Sequence, residues 1–340
     1  MPEQRNCAAM AAAGNVVAAR IKSSARNTGQ DAQFLFRRFA IERLLVRLDR
    51  TVHTGNWCLK GGLLMLVLGG DFRRPTEDLD VTTLSPFESE ALVDTFRLVA
   101  ATPPPEEDGL SYAVDTEGCY PMREEAANPG LRVALDVLLH TSTSAVQIRI
   151  KVDAAHGEAI TPGPRPARLP PTCKGYEPPW VPVYPWETVV AEKLHAITKH
   201  GRHNTRVKDF YDLVAISRQV RFGGAELSAA VLATFTRRGY SYVQAEPFGL
   251  ADEFAASREA DWARFMTVKG LGASIGSMAE AVAEVRAFAG PMLACLAEGR
   301  PVPWDWTPGA GWCPAPVPEA MEDDVPAAED AGLQCGPGRF

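Results

Sequence analysis

The residues best suited to chemistry are a glycine pair and two alternate carboxylates: Lys60-Gly61-Gly62, then Thr76-Glu77-Asp78-Leu79-Asp80-Val81. On a strand, positions i and i+2 project from one face, so Asp78 and Asp80 should point one way and Leu79 and Val81 the other. Two carboxylates on one face can share a divalent cation. Mg²⁺ in particular is usually held by one or two carboxylates together with substrate phosphates. Glycines, lacking Cβ, let a backbone come close to phosphate oxygens. An isolated Asp-x-Asp is more often two surface aspartates at a strand end, so its weight depends on what accompanies it.

Three further constellations accompany it. In Arg149-Ile150-Lys151-Val152-Asp153, strand alternation puts Arg149, Lys151 and Asp153 on one face and Ile150 and Val152 inward. That face could supply a phosphate contact and a third carboxylate, for which Asp136 is the rival; taken alone, it reads as an ordinary solvated face. In Glu187–Ile197, Val190, Leu194 and Ile197 mark the buried stripe of an amphipathic helix, with Lys193 beside it. A lysine there serves a phosphate as a point charge, although a surface lysine paired with a helix-mate glutamate would look the same. In Arg206-Val207-Lys208-Asp209-Phe210-Tyr211-Asp212-Leu213, Asp209 and Asp212 share a helix face. Acids in a first helical turn are also ordinary dipole partners.

Other matches are weaker. Gly270-Leu271-Gly272-Ala273-Ser274-Ile275-Gly276 has the wrong spacing for a dinucleotide loop and no βαβ unit around it. His195, His200 and His203 lack companion ligands for zinc. Neither a Gly-x-x-x-x-Gly-Lys-[Ser/Thr] loop nor a Gly-x-Ser-x-Gly elbow occurs.

The elements that must position these residues follow from periodicity and breakers. Residues 1–30 read as a loose arm. Helical spacing of apolar residues predicts a helix over Phe34–Val52 and another opening at Gly61-Gly62. A strand is expected over Leu79–Thr83 and a helix over Pro86–Ala101. Strands are expected over Tyr112–Val114, Val133–His140 and Ala145–Asp153, the last two as a hairpin through Thr141–Ser144. Prolines crowd residues 161–184, and Pro185 suits a helix start. Helices are predicted over Trp186–His200, Val207–Arg218, Ala225–Thr236 and Met278–Leu296. The organisation expected is thus an arm (1–30), a core (31–184), a helical half (185–300) and a Pro-rich acidic tail (301–340), disordered and dispensable for chemistry.

Composition narrows the class. With 340 residues, 46% hydrophobic and 23% charged, the chain is an ordinary globular protein with room for two domains. A net charge of −7 argues against coating nucleic acid wholesale. It leaves room for a local basic patch, such as Lys193 to Arg206. The seven cysteines are scattered without a Cys-x-x-Cys pair, which suits reduced thiols in a cytosol. No signal peptide is evident, and the most apolar run, Leu63–Leu68, is too short to span a bilayer. A cytoplasmic protein without membrane contact is expected.

Taken in order, the motifs resemble the AbiEii/AbiGii abortive-infection nucleotidyltransferase toxins. The resembling residues are Lys60-Gly61-Gly62, Arg74-x-Thr76-x-Asp78-Leu79-Asp80, Ile150-Lys151-Val152-Asp153, Ala191-Glu192-Lys193-Leu194-x-Ala196 and Lys208-Asp209-Phe210-Tyr211-Asp212-Leu213, spread over roughly residues 35–220. The resemblance implies an α+β, DNA-polymerase-β-like nucleotidyltransferase core followed by a helical half. It implies Mg²⁺-dependent transfer of a nucleotide from an NTP, in a type IV toxin–antitoxin pair with an antitoxin encoded nearby. The expected acceptor is RNA, such as the tRNA acceptor end. By the same matching, Asp78 and Asp80 are metal ligands and Lys193 and Asp209 an essential helical pair. Gly61, Gly62 and Lys151 would hold the triphosphate. Two rival readings share parts of this site: a small-molecule nucleotidyltransferase of the antibiotic-modifying kind, and a non-enzymatic nucleotide- or partner-binding module.

Overall fold

Alanine is the best helix former, and the Ala-rich start of the chain is a helix rather than a loose arm. In the computed structural model, which describes residues 2–68, 76–122, 130–271 and 275–315, α1 spans Pro2–Thr28. Val17, Ile21 and Ala25, one turn apart, are buried and hold it to the body. Gly14 sets how closely it docks, because a Cβ there would fall 1.7 Å from the His140 carbonyl oxygen. The small side chains that look unstructured in sequence are what let α1 lie against the sheet.

Helix α2 (Ala32–Asp49) is capped by Asp31, whose side chain accepts from the Phe34 amide at 2.8 Å. It carries three buried arginines, Arg38, Arg43 and Arg47, two of which share one carboxylate. Arg47 grips both oxygens of fully buried Asp108 (2.7 and 2.9 Å), and Arg43 bonds the same carboxylate at 2.9 Å. The guanidiniums stand over Tyr176 and Tyr112.

The chain then builds β1 (Trp57–Lys60), a short helix α3 (Gly61–Leu64), β2 (Leu79–Thr83), α4 (Ser89–Ala101), β3 (Leu110–Met122), β4 (Gly130–His140), β5 (Ala145–His156), β6 (Arg165–Arg168) and β7 (Trp180–Val183). These strands form one mixed sheet in the order β3-β4-β5-β2-β1-β7-β6. Pairing is parallel at β2–β5 and β1–β7 and antiparallel elsewhere. The hairpin through Thr141–Ser144 forms as expected. The proline-rich stretch contributes two strands at the far edge, a position where prolines are tolerated. One sheet face, with Leu79, Val81, Val133, Leu135, Ile150 and Val152, is buried, while α1, α2 and α4 pack on β3–β5. Alternation puts Lys60, Asp80, Asp153 and Arg132 on the other face.

The helical half comprises α5 (Trp186–His200), α6 (Val207–Ser217), α7 (Gly224–Arg237), α8 (Asp252–Val268) and α9 (Met278–Ala297). Helix α8 was not expected: its buried residues are few (Phe254, Ala255 and Trp262), so its periodic signal is weak. The expected disordered tail is corrected over its first part. Strands β8 (Trp304–Thr307) and β9 (Gly311–Pro314) pair as a hairpin. Trp306 and Trp312 pack on Phe288, and their indole N–H groups donate to the Ser217 and Phe288 carbonyls. Two tryptophans with an apolar surface and satisfied donors suffice to order a segment whose average composition suggests a linker. The remainder, 316–340, lies outside the described residues. The class is α+β, as expected.

Candidate active site

Asp80 sits in the middle of a row of charged side chains that crosses the sheet. Register places Lys60 of β1 beside it on one flank and Asp153 of β5 on the other; Arg132 of β4 lies beyond Asp153. Neighbours across strands share a face, so the row reads Lys60, Asp80, Asp153, Arg132. Arg132 takes Asp153 in a two-pronged bond (2.6 and 2.5 Å). Lys60 is taken by Glu158. Among the described residues no ion pair closes on Asp80. Burial pushes its carboxyl above the usual range, with Asp153 and Asp78 adding to the rise and Lys60 and Lys208 opposing it.

The glycine pair has a local duty to this carboxylate. Gly61 has φ +69°, and a Cβ on it would lie 2.1 Å from Asp80 Oδ2. Any side chain there would be strained and would displace the carboxylate. Gly62 follows, buried, in α3.

Asp78 departs from the expected geometry. Strand β2 begins at Leu79, leaving Asp78 at a bend just before it, so strand alternation orients Asp80 but not Asp78. The two still sense each other electrostatically. Register separates the two candidates for a third carboxylate. Asp153 is Asp80's direct neighbour, whereas Asp136 lies two rows further along, opposite Arg149 and bonded to it at 2.5 Å. Lys151 occupies the row between, exposed and opposite Ala134. Arg74 of the glycine–aspartate motif lies outside the described residues.

The helical motifs meet as expected, with an addition. Lys193 on α5 reaches Asp209 on α6 at 3.0 Å and Asp212 at 2.6 Å. Arg206 holds the other oxygen of Asp209 at 2.6 Å. Burial works against the Asp209 charge, but Lys193 and Arg206 outweigh it and hold the carboxyl below its usual range. Lys193 therefore stands at the centre of an ion cluster. One chain of contacts joins α5 to the sheet: Lys60 pairs with Glu158, and Arg238 reaches both Glu158 (3.1 Å) and Glu192 (3.6 Å), the neighbour of Lys193.

Sequence reasoning missed Glu158, Arg132 and Tyr184. A single glutamate after a strand gives no periodic or spacing signal; its partners Lys60, Tyr184 and Arg238 are far apart in the chain. Asp212 was visible as the helix-face companion of Asp209.

The donor set fits a hard divalent cation shared with phosphates. No group of three or more His, Cys, Asp and Glu among the described residues could hold a metal on its own. That excludes a closed cage over those residues, the histidine set included, but suits a site of one or two carboxylates that phosphate oxygens complete.

A family model described as "Nucleotidyl transferase AbiEii toxin, Type IV TA system" matches residues 43–273, well over half of the chain. The chain belongs to this family. It is a nucleotidyltransferase family of toxin–antitoxin systems, so a nucleotide substrate, a divalent metal and an antitoxin partner come with membership. Two solved structures from Helicobacter pylori are similar at 14% identity. JHP933 has a TM-score of 0.44, covering 79% of this chain and 94% of its own. The other, provisionally assigned as a nucleotidyltransferase, has a TM-score of 0.43, covering 79% of this chain and 96% of its own. No curated protein matches the chain. No helix among the described residues is long and apolar enough to cross a membrane.

Proposed function

We propose that this toxin transfers a nucleotidyl group from an NTP to an RNA acceptor, such as the tRNA acceptor end, in the cytoplasm. Residues 31–184 would supply the nucleotide site, and 185–300 the Lys193–Asp209 pair beside it. The observation that carries the reading is the chain of contacts joining the Asp80 row to α5: Lys60 to Glu158, Glu158 to Arg238, and Arg238 to Glu192, which adjoins Lys193.

In this reading Asp80 and Asp78 hold Mg²⁺, which when bound supplies charge neutralisation at the phosphate oxygens. Gly61 keeps Asp80 in place and, with Gly62, leaves backbone open to phosphate. Lys60 and Lys151 add positive charge on the same sheet face. Asp209 is ionised and fixes Lys193, so a cation is in position before the substrate arrives. An acceptor hydroxyl then attacks the α-phosphorus and gives up its proton to solvent, and the bond to pyrophosphate breaks. An RNA acceptor is favoured by the cationic stretch Lys193, Lys199, Arg202, Arg206 and Lys208, which holds no acid before Asp209 and borders the site in a chain otherwise acidic.

The test is incubation with each labelled NTP, Mg²⁺ and total RNA. Wild type should label RNA. Asp80→Ala should fall on the order of 10²-fold or more with unchanged thermal unfolding. Near wild-type labelling by Asp80→Ala would sink the assignment, and label appearing only on small molecules would replace the acceptor.

A further inference from the structure

Glu158 lies on the segment after β5, and its carboxylate gathers donors from three elements distant in sequence. Oε2 accepts from the Lys60 ammonium at the end of β1 and from the Tyr184 hydroxyl just past β7 (2.5 Å). Oε1 accepts from the Arg238 guanidinium beyond α7 (3.1 Å). The neighbouring backbone is pinned too, since Arg237 bonds the Gly157 carbonyl. The Lys60 and Glu158 side chains are only 14% and 10% exposed, and Lys60 stands over the Tyr184 ring. Burial alone would raise the Glu158 carboxyl; Lys60, Tyr184 and Arg238 outweigh it and hold the group ionised.

We propose that Glu158 is a positioning residue for nucleotidyl transfer: it clamps the Lys60 ammonium beside Asp80, so that a fixed cation faces the incoming triphosphate. The proposal rests on the nucleotidyl-transfer reading above. A lysine is a point charge on a four-carbon stem that swings freely unless something holds it. Lys60 is Asp80's register partner and the residue before Gly61, so its placement sets charge at the centre of the site. A buried ion pair is a poor device for stability alone, since desolvation offsets much of its attraction. Fixed in advance at a site of developing charge, the same pair works at full strength. Glu158 is itself held by Tyr184 and Arg238, so the clamp does not depend on one flexible contact.

The experiment is a double-mutant cycle on the full chain. Glu158→Gln keeps the shape and can still accept from Tyr184, but it loses the charge. We expect kcat to fall about tenfold or more, the scale of a misplaced group, with KM for the NTP changed much less. In a Lys60→Ala background the same substitution should cost little more, because residues acting through one another are non-additive. Tyr184→Phe, which removes one donor, should give a smaller kcat loss that also vanishes without Lys60. Equal losses in both backgrounds, or full kcat in Glu158→Gln, would overturn the proposal. A second readout needs no turnover. Acylation of Lys60 by an N-hydroxysuccinimide ester, followed by peptide mass spectrometry, should quicken several-fold in Glu158→Gln. Unchanged Lys60 reactivity defeats the clamp whatever the activity. Faster acylation in a protein that transfers no nucleotide upholds the clamp and defeats the transfer reading.

Discussion

The cluster under α2 and the cluster between α5 and α6 both bury charge, but with opposite stoichiometry. Under α2, two arginines converge on Asp108, and planar guanidinium forks match its oxygens. Between α5 and α6, Lys193 sits between Asp209 and Asp212, with Arg206 at the rim. The first is sealed, with every charge except the outlying Glu106 at most 3% exposed. In the second, the carboxylates are sealed but the lysine is 14% exposed. Rigid forks around one acceptor serve to fix a helix. In the function proposed above, a partly exposed point charge between two carboxylates holds a cation ready.

The comparison breaks most visibly at Asp108. Asp108→Ala strands two buried guanidiniums and should cost about 3–5 kcal/mol of stability in denaturant titration. Nucleotidyl transfer by whatever remains folded should be nearly unchanged. A large fall in kcat at intact stability would show that the α2 cluster also serves the site.

Lys193→Arg and Asp209→Asn test the other half. Each should lower transfer on the order of 10²-fold, about 2.7 kcal/mol, and the double mutant should be little worse than either. Additive losses in single-turnover assays would mean separate roles. Arginine is a demanding substitute here because a planar fork does not fit where an ammonium sits between two carboxylates.

His195, two residues on along α5, sharpens the contrast with pH. Burial, with Arg238, Lys199 and His200 nearby, pushes its imidazole down to about 4. The unfolded chain, with a pKa of about 6.5, therefore takes up the proton first. Its contribution is complete above about pH 6.5 and is lost as pH falls toward 4, up to about 3 kcal/mol. His195→Phe should flatten that part of the urea-midpoint profile; an unchanged slope would assign the pH dependence to other groups.

The smallest effect belongs to Asp136. Its bond to Arg149 is largely exposed, so Asp136→Asn should change stability by less than about 1 kcal/mol and leave transfer intact. Loss of activity there would reinstate Asp136 against Asp153 as the third carboxylate.

Local pattern made much of this legible. The helices α2, α5, α6, α7 and α9 and the strands β2, β4 and β5 follow from periodicity, while the Lys193–Asp209 pair came with the family resemblance. Averages misled where a few residues decide. Alanines and Gly14 make α1 a docked helix, and Trp306 and Trp312 order a hairpin inside a Pro-rich tail.

The sequence by itself determined which residues are chemically able: Asp78, Asp80, Lys193, Asp209, and a glycine pair ahead of them. It also determined the α+β class, because periods of two and of 3.6 residues are written locally. Only the tertiary structure decided which of them face one another. It set Asp153 beside Asp80 and Asp136 two rows away, since strand register between β2 and β5 depends on pairing across the sheet. It gave Gly61 its reason in the position of the Asp80 carboxylate. It brought Glu158 to Lys60, Tyr184 and Arg238, a meeting that no spacing along the chain could announce. A charge's neighbours, and hence its ionisation and its use, are set by through-space distance, which the order of residues does not encode until the sheet and helices have packed.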